Sequence, residues 1–188
     1  MEKEKALVIF GSPRNNGYTK KMLNLFMNEL KEIYDFSIIN AYDIAIKPCY
    51  GCDFCEKNGV CRFSDFNKIK MLLDETDMLV IASPVYNMGF PAPLKAIFDR
   101  MQVYYNKPLQ REKDYYSEFR DAVLLLTCGR ADNGVSEILS KSLNYILKCI
   151  DIKIKYKTVW EKTDLNPNDS GIFLKIKMVS KSIMEIKT

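Results

Sequence analysis

The chain has 188 residues, a formal net charge of +4 from 28 Lys and Arg against 24 Asp and Glu, and no histidine. That length suits a single domain, residues 1–188, with a core large enough to fold without disulfide staples. The dispersed, weakly positive charge excludes a nucleic-acid surface but favours a phosphate-bearing ligand, and the missing histidine excludes a His base, a Ser-His triad and a His metal ligand.

The apolar segments are too short to cross a membrane. None approaches the roughly 18 residues of a membrane span, and the first ten residues, "MEKEKALVIF", do not resemble a signal peptide. We therefore expect a cytoplasmic protein without membrane partners. Because thiols there mostly stay reduced, clustered cysteines favour metal or redox chemistry over structural disulfides.

Strand-like and helix-like segments alternate along the chain. Apolar runs typical of strands cover 5–10, 36–41, 77–83 and 121–129, and an alternating run typical of an edge strand covers 152–160. Helical spacing of apolar residues covers 19–33, 65–75, 94–103 and 135–150, with a closing helix at 170–186. This order predicts an α/β fold: a doubly wound, five-stranded parallel sheet with helices on both faces. A cysteine-rich loop, 47–64, is inserted after the second strand, and residues 107–120 are predicted to form a surface loop, an excursion from the alternating elements.

Ligands of such sheets bind beyond the carboxyl ends of the strands. The first loop there, "GSPRNNGYT" (11–19), is neither a P-loop, since no Lys-Ser/Thr follows Gly17, nor a G-x-G-x-x-G dinucleotide motif. It predicts either an anion site at a helix N-terminus, with Gly11 and Gly17 allowing positive φ, or an ordinary polar turn with Thr19 as N-cap.

Two further loops leave strand ends, "SPVYNMGFP" (83–91) and "TCGRADNG" (127–134). The former can set an aromatic ring and several backbone N–H groups against a flat heterocycle. Alternatively, Tyr86, Met88 and Phe90 simply pack under the next helix.

Four of the six cysteines fall within "CYGCDFCEKNGVC", Cys49 to Cys61, with the spacing C-x2-C-x2-C-x5-C. Such short steps are those of iron–sulfur ligand loops, and Gly51 and Gly59 supply backbone freedom. Zinc more often uses paired C-x2-C hairpins separated by a longer stretch. Free or labile thiols, zinc and a disulfide framework are the alternatives to a cluster. Cys128 and Cys149 are typical of small buried hydrophobes.

The loops "GSPRNNGYT" and "SPVYNMGFPAPLKAIFDR" resemble the NADPH-dependent FMN reductase superfamily of flavodoxin-like proteins, over residues 5–135. The cysteine spacing is similar to that of its iron–sulfur flavoprotein branch. The resemblance implies a flavodoxin-like fold that binds FMN. It assigns the phosphate to Ser12, Arg14, Gly17, Tyr18 and Thr19, the flavin body to Pro84, Val85, Tyr86, Asn87, Met88 and Gly89, and the opposite side of the ring to Thr127, Gly129 and Arg130. It assigns a [4Fe–4S] cluster to Cys49, Cys52, Cys55 and Cys61.

The same resemblance implies an FMN-dependent oxidoreductase that passes electrons between NAD(P)H or a reduced protein and a small acceptor. The alternatives are an electron-transfer carrier that exchanges electrons with a ferredoxin-like partner, and a domain that has lost its cofactor. No catalytic side chain is expected, because the flavin carries the chemistry. A homodimer or tetramer is implied as well, with candidate aromatic contacts in 101–109.

Overall fold

The computed structural model describes residues 2–105, 119–166 and 168–187. Its strands are β1 (Glu4–Phe10), β2 (Tyr34–Asn40), β3 (Met78–Pro84), β4 (Arg120–Thr127) and β5 (Ile152–Trp160). They pair in parallel in the order β2-β1-β3-β4-β5. The prediction of a five-stranded parallel sheet with an edge strand at 152–160 is therefore confirmed.

Helices cover both faces of this sheet. They are α1 (Tyr18–Leu30), α2 (Phe54–Asn58), α3 (Asn67–Glu75), α4 (Ala92–Arg100), α5 (Gln102–Tyr105), α6 (Val135–Leu147) and α7 (Gly171–Lys187). One core layer packs α3, α4 and α6 against the sheet, and the other packs α1 and α7. The short helix α2 was not predicted, because five residues carry no helical periodicity, and the helix predicted at 94–103 is divided between α4 and α5.

The apolar runs of the central strands are buried on both faces. Along β1, Leu7 and Ile9 face one layer while Ala6, Val8 and Phe10 face the other. Strands covered on both sides need such continuous apolar sequence. Parallel pairing then brings the carboxyl ends of β1, β3 and β4 to one edge of the sheet, and with them the three loops singled out above.

Arg120, at the start of β4, stabilises the opposite end of the sheet. Its guanidinium donates to three backbone carbonyls, those of Leu73, Thr76 and Ile150, at 2.9, 2.7 and 2.7 Å. Hydrogen bonds from charged donors contribute about 1.5–3 kcal/mol each, so we expect Arg120→Ala to lower the free energy of unfolding by about 3 kcal/mol. Urea denaturation measures this change. Exposed Lys141→Ala on α6 is the control, and equal losses in the two variants would contradict the prediction.

Residues 107–118 of the expected surface excursion and 106–109 of the 101–109 segment lie outside the described residues, whereas Arg120, expected in the excursion, begins β4. Within the described part, Tyr104 is buried and its hydroxyl donates to Asp74 at 2.8 Å, so it is not the exposed aromatic contact that was expected. Tyr105 is exposed. Among the described residues, no helix combines the length and the apolarity needed to span a membrane.

Candidate functional site

A cleft of about 750 Å³ opens where β1, β3 and β4 end. Most of the predicted site residues line it, namely Ser12, Arg14, Gly17, Tyr18, Thr19, Pro84, Val85, Tyr86, Thr127 and Gly129. Asn87, Met88, Gly89 and Arg130 are not part of this lining. The structure therefore brings together residues of three loops that are far apart in sequence.

Helix α1 begins at the cleft without a side-chain cap from any described residue. Gly17 is its N-cap, in extended backbone, and the helix starts at Tyr18. The hydroxyl of Thr19 instead lies 2.6 Å from that of Thr127 in a buried pair, so the alternative of a polar turn with Thr19 as N-cap is wrong. The first N–H groups of α1 and the positive end of its dipole are thus left for an anion.

Glycine is needed at position 11 of this first loop, but for a reason other than the expected one. Gly17 has φ −78°, and neither it nor Gly11 is in the left-handed region. A Cβ at Gly11 would instead clash with the side chain of Leu94, which is fully buried in α4. Close packing of the loop on α4, rather than positive φ, excludes a side chain at Gly11.

The loop after β3 forms a tight two-residue turn. Tyr86 and Gly89 exchange both backbone hydrogen bonds, at 3.0 and 2.8 Å, and Asn87 and Met88 have φ +48° and +60°. Two consecutive left-handed residues are the signature of a type I′ turn. The strain therefore falls on Asn87 and Met88, while Gly89 stays out of the left-handed region. The Met88 side chain is 65% exposed, so the alternative that Met88 packs under the next helix is wrong.

Two cleft residues that the sequence reading missed follow β5. Thr163 bonds through its N–H and hydroxyl to the carbonyl of Cys128, and Asp164 N–H donates to the carbonyl of Gly129 at 3.2 Å. A Cβ at Gly129 would clash with the Asp164 carboxylate. No local motif marks this segment, and only the parallel pairing of β5 with β4 carries it to the cleft. Asn15, Asn16 and Lys21 are further lining residues that were not predicted.

A second cavity, of about 310 Å³, is lined by all four clustered cysteines. Cys49 and Cys52 are exposed, Cys55 and Cys61 are half-buried, and none of the four forms a disulfide. Gly51 and Gly59 have φ +60° and +67°, and nothing lies within 4 Å of a Cβ at either, so conformation alone requires glycine there, as predicted. Within the described residues, no group of three or more His, Cys, Asp or Glu is arranged to hold a metal ion.

Beside the cysteines, buried Arg100 forms an ion pair with half-buried Asp65, with Nη2 2.7 Å from Oδ1. Burial opposes the charge on both groups, but their mutual hydrogen bonds outweigh it. They raise the pKa of Arg100, with a further contribution from the neighbouring Cys61, and lower the pKa of Asp65. Both groups therefore stay charged near neutral pH, and their attraction persists until the pH falls through the lowered pKa of Asp65.

The remaining cysteines, Cys128 and Cys149, do not line the cysteine cavity. Cys128 is buried, and this burial, reinforced by Asp132, raises its pKa to about 11. It is a protonated, unreactive thiol at neutral pH, which confirms its interpretation as a small buried hydrophobe. Cys149 is half-buried, outside the cavity, and burial raises its pKa as well.

Sequence comparison places most of the chain in one family. Residues 5–153 match the model of the NADPH-dependent FMN reductase family. An iron-sulfur flavoprotein of Archaeoglobus fulgidus is 34% identical over 58% of this chain and 50% of its own length. One of Methanosarcina thermophila is 30% identical over 72% of this chain and 69% of its own length. The matched region thus spans only about half of the Archaeoglobus protein.

Comparison with solved structures supports the fold. An NAD(P)H:quinone oxidoreductase from Methanothermobacter marburgensis superposes with a TM-score of 0.68, covering 96% of this chain and 94% of its own. Identity is 18%, so this likeness concerns architecture alone. It confirms the prediction of a flavodoxin-like α/β fold.

Proposed function

The chain belongs to the NADPH-dependent FMN reductase family, in its iron–sulfur flavoprotein branch, and from this premise we propose that it is an FMN-dependent oxidoreductase. It would pass electrons between NAD(P)H or a reduced protein and a small acceptor. The observation that carries the proposal is the cleft in which the three strand-end loops meet. Its volume of about 750 Å³ falls in the range of cofactor sites.

The cleft residues suit a flat ligand with a phosphate at one end. The uncapped start of α1, with Ser12 and Arg14 beside it, would hold the phosphate through N–H groups, a hydroxyl and a cation. Tyr86, 40% exposed, would lie against the flavin, and the neighbouring turn at Asn87 and Met88 presents backbone N–H groups. When bound, FMN supplies one- and two-electron transfer, while the chain supplies binding and orientation.

The chemistry of the cysteine cavity suits an iron–sulfur group, although the described thiols are not arranged to hold a metal in this conformation. A [4Fe–4S] cluster needs four thiolates, and Cys49, Cys52, Cys55 and Cys61 all line one cavity without forming disulfides. Such a group would supply one-electron transfer when bound. Clustered cysteines without disulfides also fit the reducing cytoplasm, which we propose as the location.

The four-thiol cavity also favours a second candidate, an electron-transfer carrier that turns over no substrate of its own. Its partner would be a ferredoxin-like protein. Steady-state oxidation of NADH or NADPH separates the two functions, because only the oxidoreductase shows it. Family resemblance further supports a homodimer or tetramer, which light scattering would identify.

The test starts with FMN binding to the purified chain. Trp160, the single tryptophan, lies edge-on to Tyr18 of the cleft with ring centroids 5.1 Å apart, so its fluorescence reports on occupancy. We expect added FMN to quench it, and NAD(P)H then to be oxidised in the presence of a quinone. FMN binding without NAD(P)H oxidation, but with reduction by a ferredoxin, would favour the carrier. No FMN binding would contradict both functions.

A further inference from the structure

Arg100, the last residue of α4, has a side chain only 1% exposed. A guanidinium has five N–H donors. Four are used within the described residues, by the carbonyls of Lys47 and Phe63 at 2.8 and 3.0 Å and by the two carboxylate oxygens of Asp65 at 2.7 and 3.3 Å. Arg100 is therefore bonded to Lys47 and Phe63 of the inserted loop and to Asp65, the residue that follows it.

These three residues lie on both sides of the cysteine run. Lys47 is two residues before Cys49, and Phe63 is two residues after Cys61. Asp65 completes the closure by accepting the Lys47 N–H at 2.8 Å. The Arg100–Asp65 pair thus joins the two ends of the loop, and this removes much of the conformational freedom that would otherwise separate the thiols.

The fifth donor has a different environment. Arg100 Nε is buried and has no hydrogen-bond partner among the described residues. Arg100 also lines the cavity that the four cysteines line, and its side chain interacts with that of Cys61. Buried donors are nearly always paired, so this N–H indicates an acceptor inside the cavity. A thiolate or cluster sulfur is such an acceptor, and hydrogen bonds to sulfur tune cluster potentials.

We propose that Arg100 is the positioning residue of the cysteine cavity, closing the loop before any iron binds and directing its remaining N–H to sulfur. The loop closure does not depend on the proposed function, whereas the identity of the sulfur-bound group does. Lysine cannot replace Arg100 in this role, because an ammonium has three donors and lacks the planar fork of a guanidinium. The geometry thus distinguishes Arg100 from Arg62, an exposed residue that lines the same cavity.

Thiol alkylation in the metal-free, full-length chain tests the closure directly. Cys61 is half-buried in the closed loop, so we expect its alkylation in Arg100→Lys to be faster by at least about tenfold, since charge-assisted hydrogen bonds are lost. Arg62→Lys, the matched control, should alkylate at the wild-type rate. An unchanged rate in Arg100→Lys, or an equal rise in Arg62→Lys, would overturn the proposal.

FMN titration of each variant checks that it is folded, because the flavin cleft contains neither arginine. If Arg100→Lys fails to bind FMN, Asp65→Asn serves instead, since it keeps Arg100 and weakens the same closure. It should also accelerate Cys61 alkylation, and an unchanged rate would equally overturn the proposal.

Iron reconstitution tests the part that rests on the proposed function. Arg100→Lys should retain less than half of the iron held by the wild type, while Arg62→Lys retains all of it.

Any cluster in Arg100→Gln should have a lower midpoint potential than in the wild type, because a buried positive charge favours the reduced state. If the wild type takes up no iron, the cluster proposal fails while the alkylation rates still decide the role of Arg100. Equal iron and equal potential in all variants would overturn the role toward the cluster.

Discussion

Gly17→Asp is expected to weaken FMN binding by at least about 100-fold, which corresponds to about 2.7 kcal/mol. Gly17 is the N-cap of α1, and no described side chain occupies the first N–H groups. The carboxylate of an aspartate there would accept hydrogen bonds from those N–H groups, and its negative charge would repel the phosphate. Titration of Trp160 fluorescence with FMN measures the change.

Gly17→Asn is the matched control, because asparagine has the same shape and cap preference without the charge. Both side chains meet the same neighbour, since a Cβ at Gly17 would lie 3.1 Å from Cβ of Arg14. We expect Gly17→Asn to bind FMN within about tenfold of the wild type, and riboflavin, which lacks the phosphate, to bind the two variants equally. Equal FMN affinities in the two variants would show that the phosphate does not bind at α1.

Cys52→Ala is expected to lose more than half of the iron of the wild type. Cys52 is exposed, so its removal leaves the packing of the chain intact, and the loss would report on ligation alone. A [4Fe–4S] cluster with three thiolates lacks one of the four ligands that it needs. Iron and sulfide analysis of protein purified without oxygen measures the effect.

The control for this variant is Cys149→Ala, which removes a half-buried thiol outside the cavity. It should keep the full iron content, and both variants should bind FMN as the wild type does, because the flavin cleft contains neither cysteine. Equal iron in the two variants would exclude Cys52 as a ligand.

The sheet and the cleft were predictable because their signals are local. The continuous apolar runs of β3 and β4 identify buried parallel strands, and parallel pairing places the loops that follow them at one edge. The cysteine spacing likewise indicated one site, and the structure places all four thiols around one cavity.

Contacts between distant segments were not predictable. Arg100 and Asp65 are 35 residues apart, and Thr163 reaches Cys128 across the same separation, with no motif to relate them. The left-handed backbone at Met88 was also missed, because methionine carries no local signal for a positive φ. In each case the tertiary packing, rather than the local sequence, determines the conformation.

Iron per FMN in wild-type protein purified without oxygen tests the central claim most directly. We expect about four iron atoms per bound flavin, with equivalent sulfide, as one [4Fe–4S] cluster per chain requires. Bound flavin without iron would contradict the cluster, and the loop from Cys49 to Cys61 would then be a thiol-rich segment of a flavin reductase.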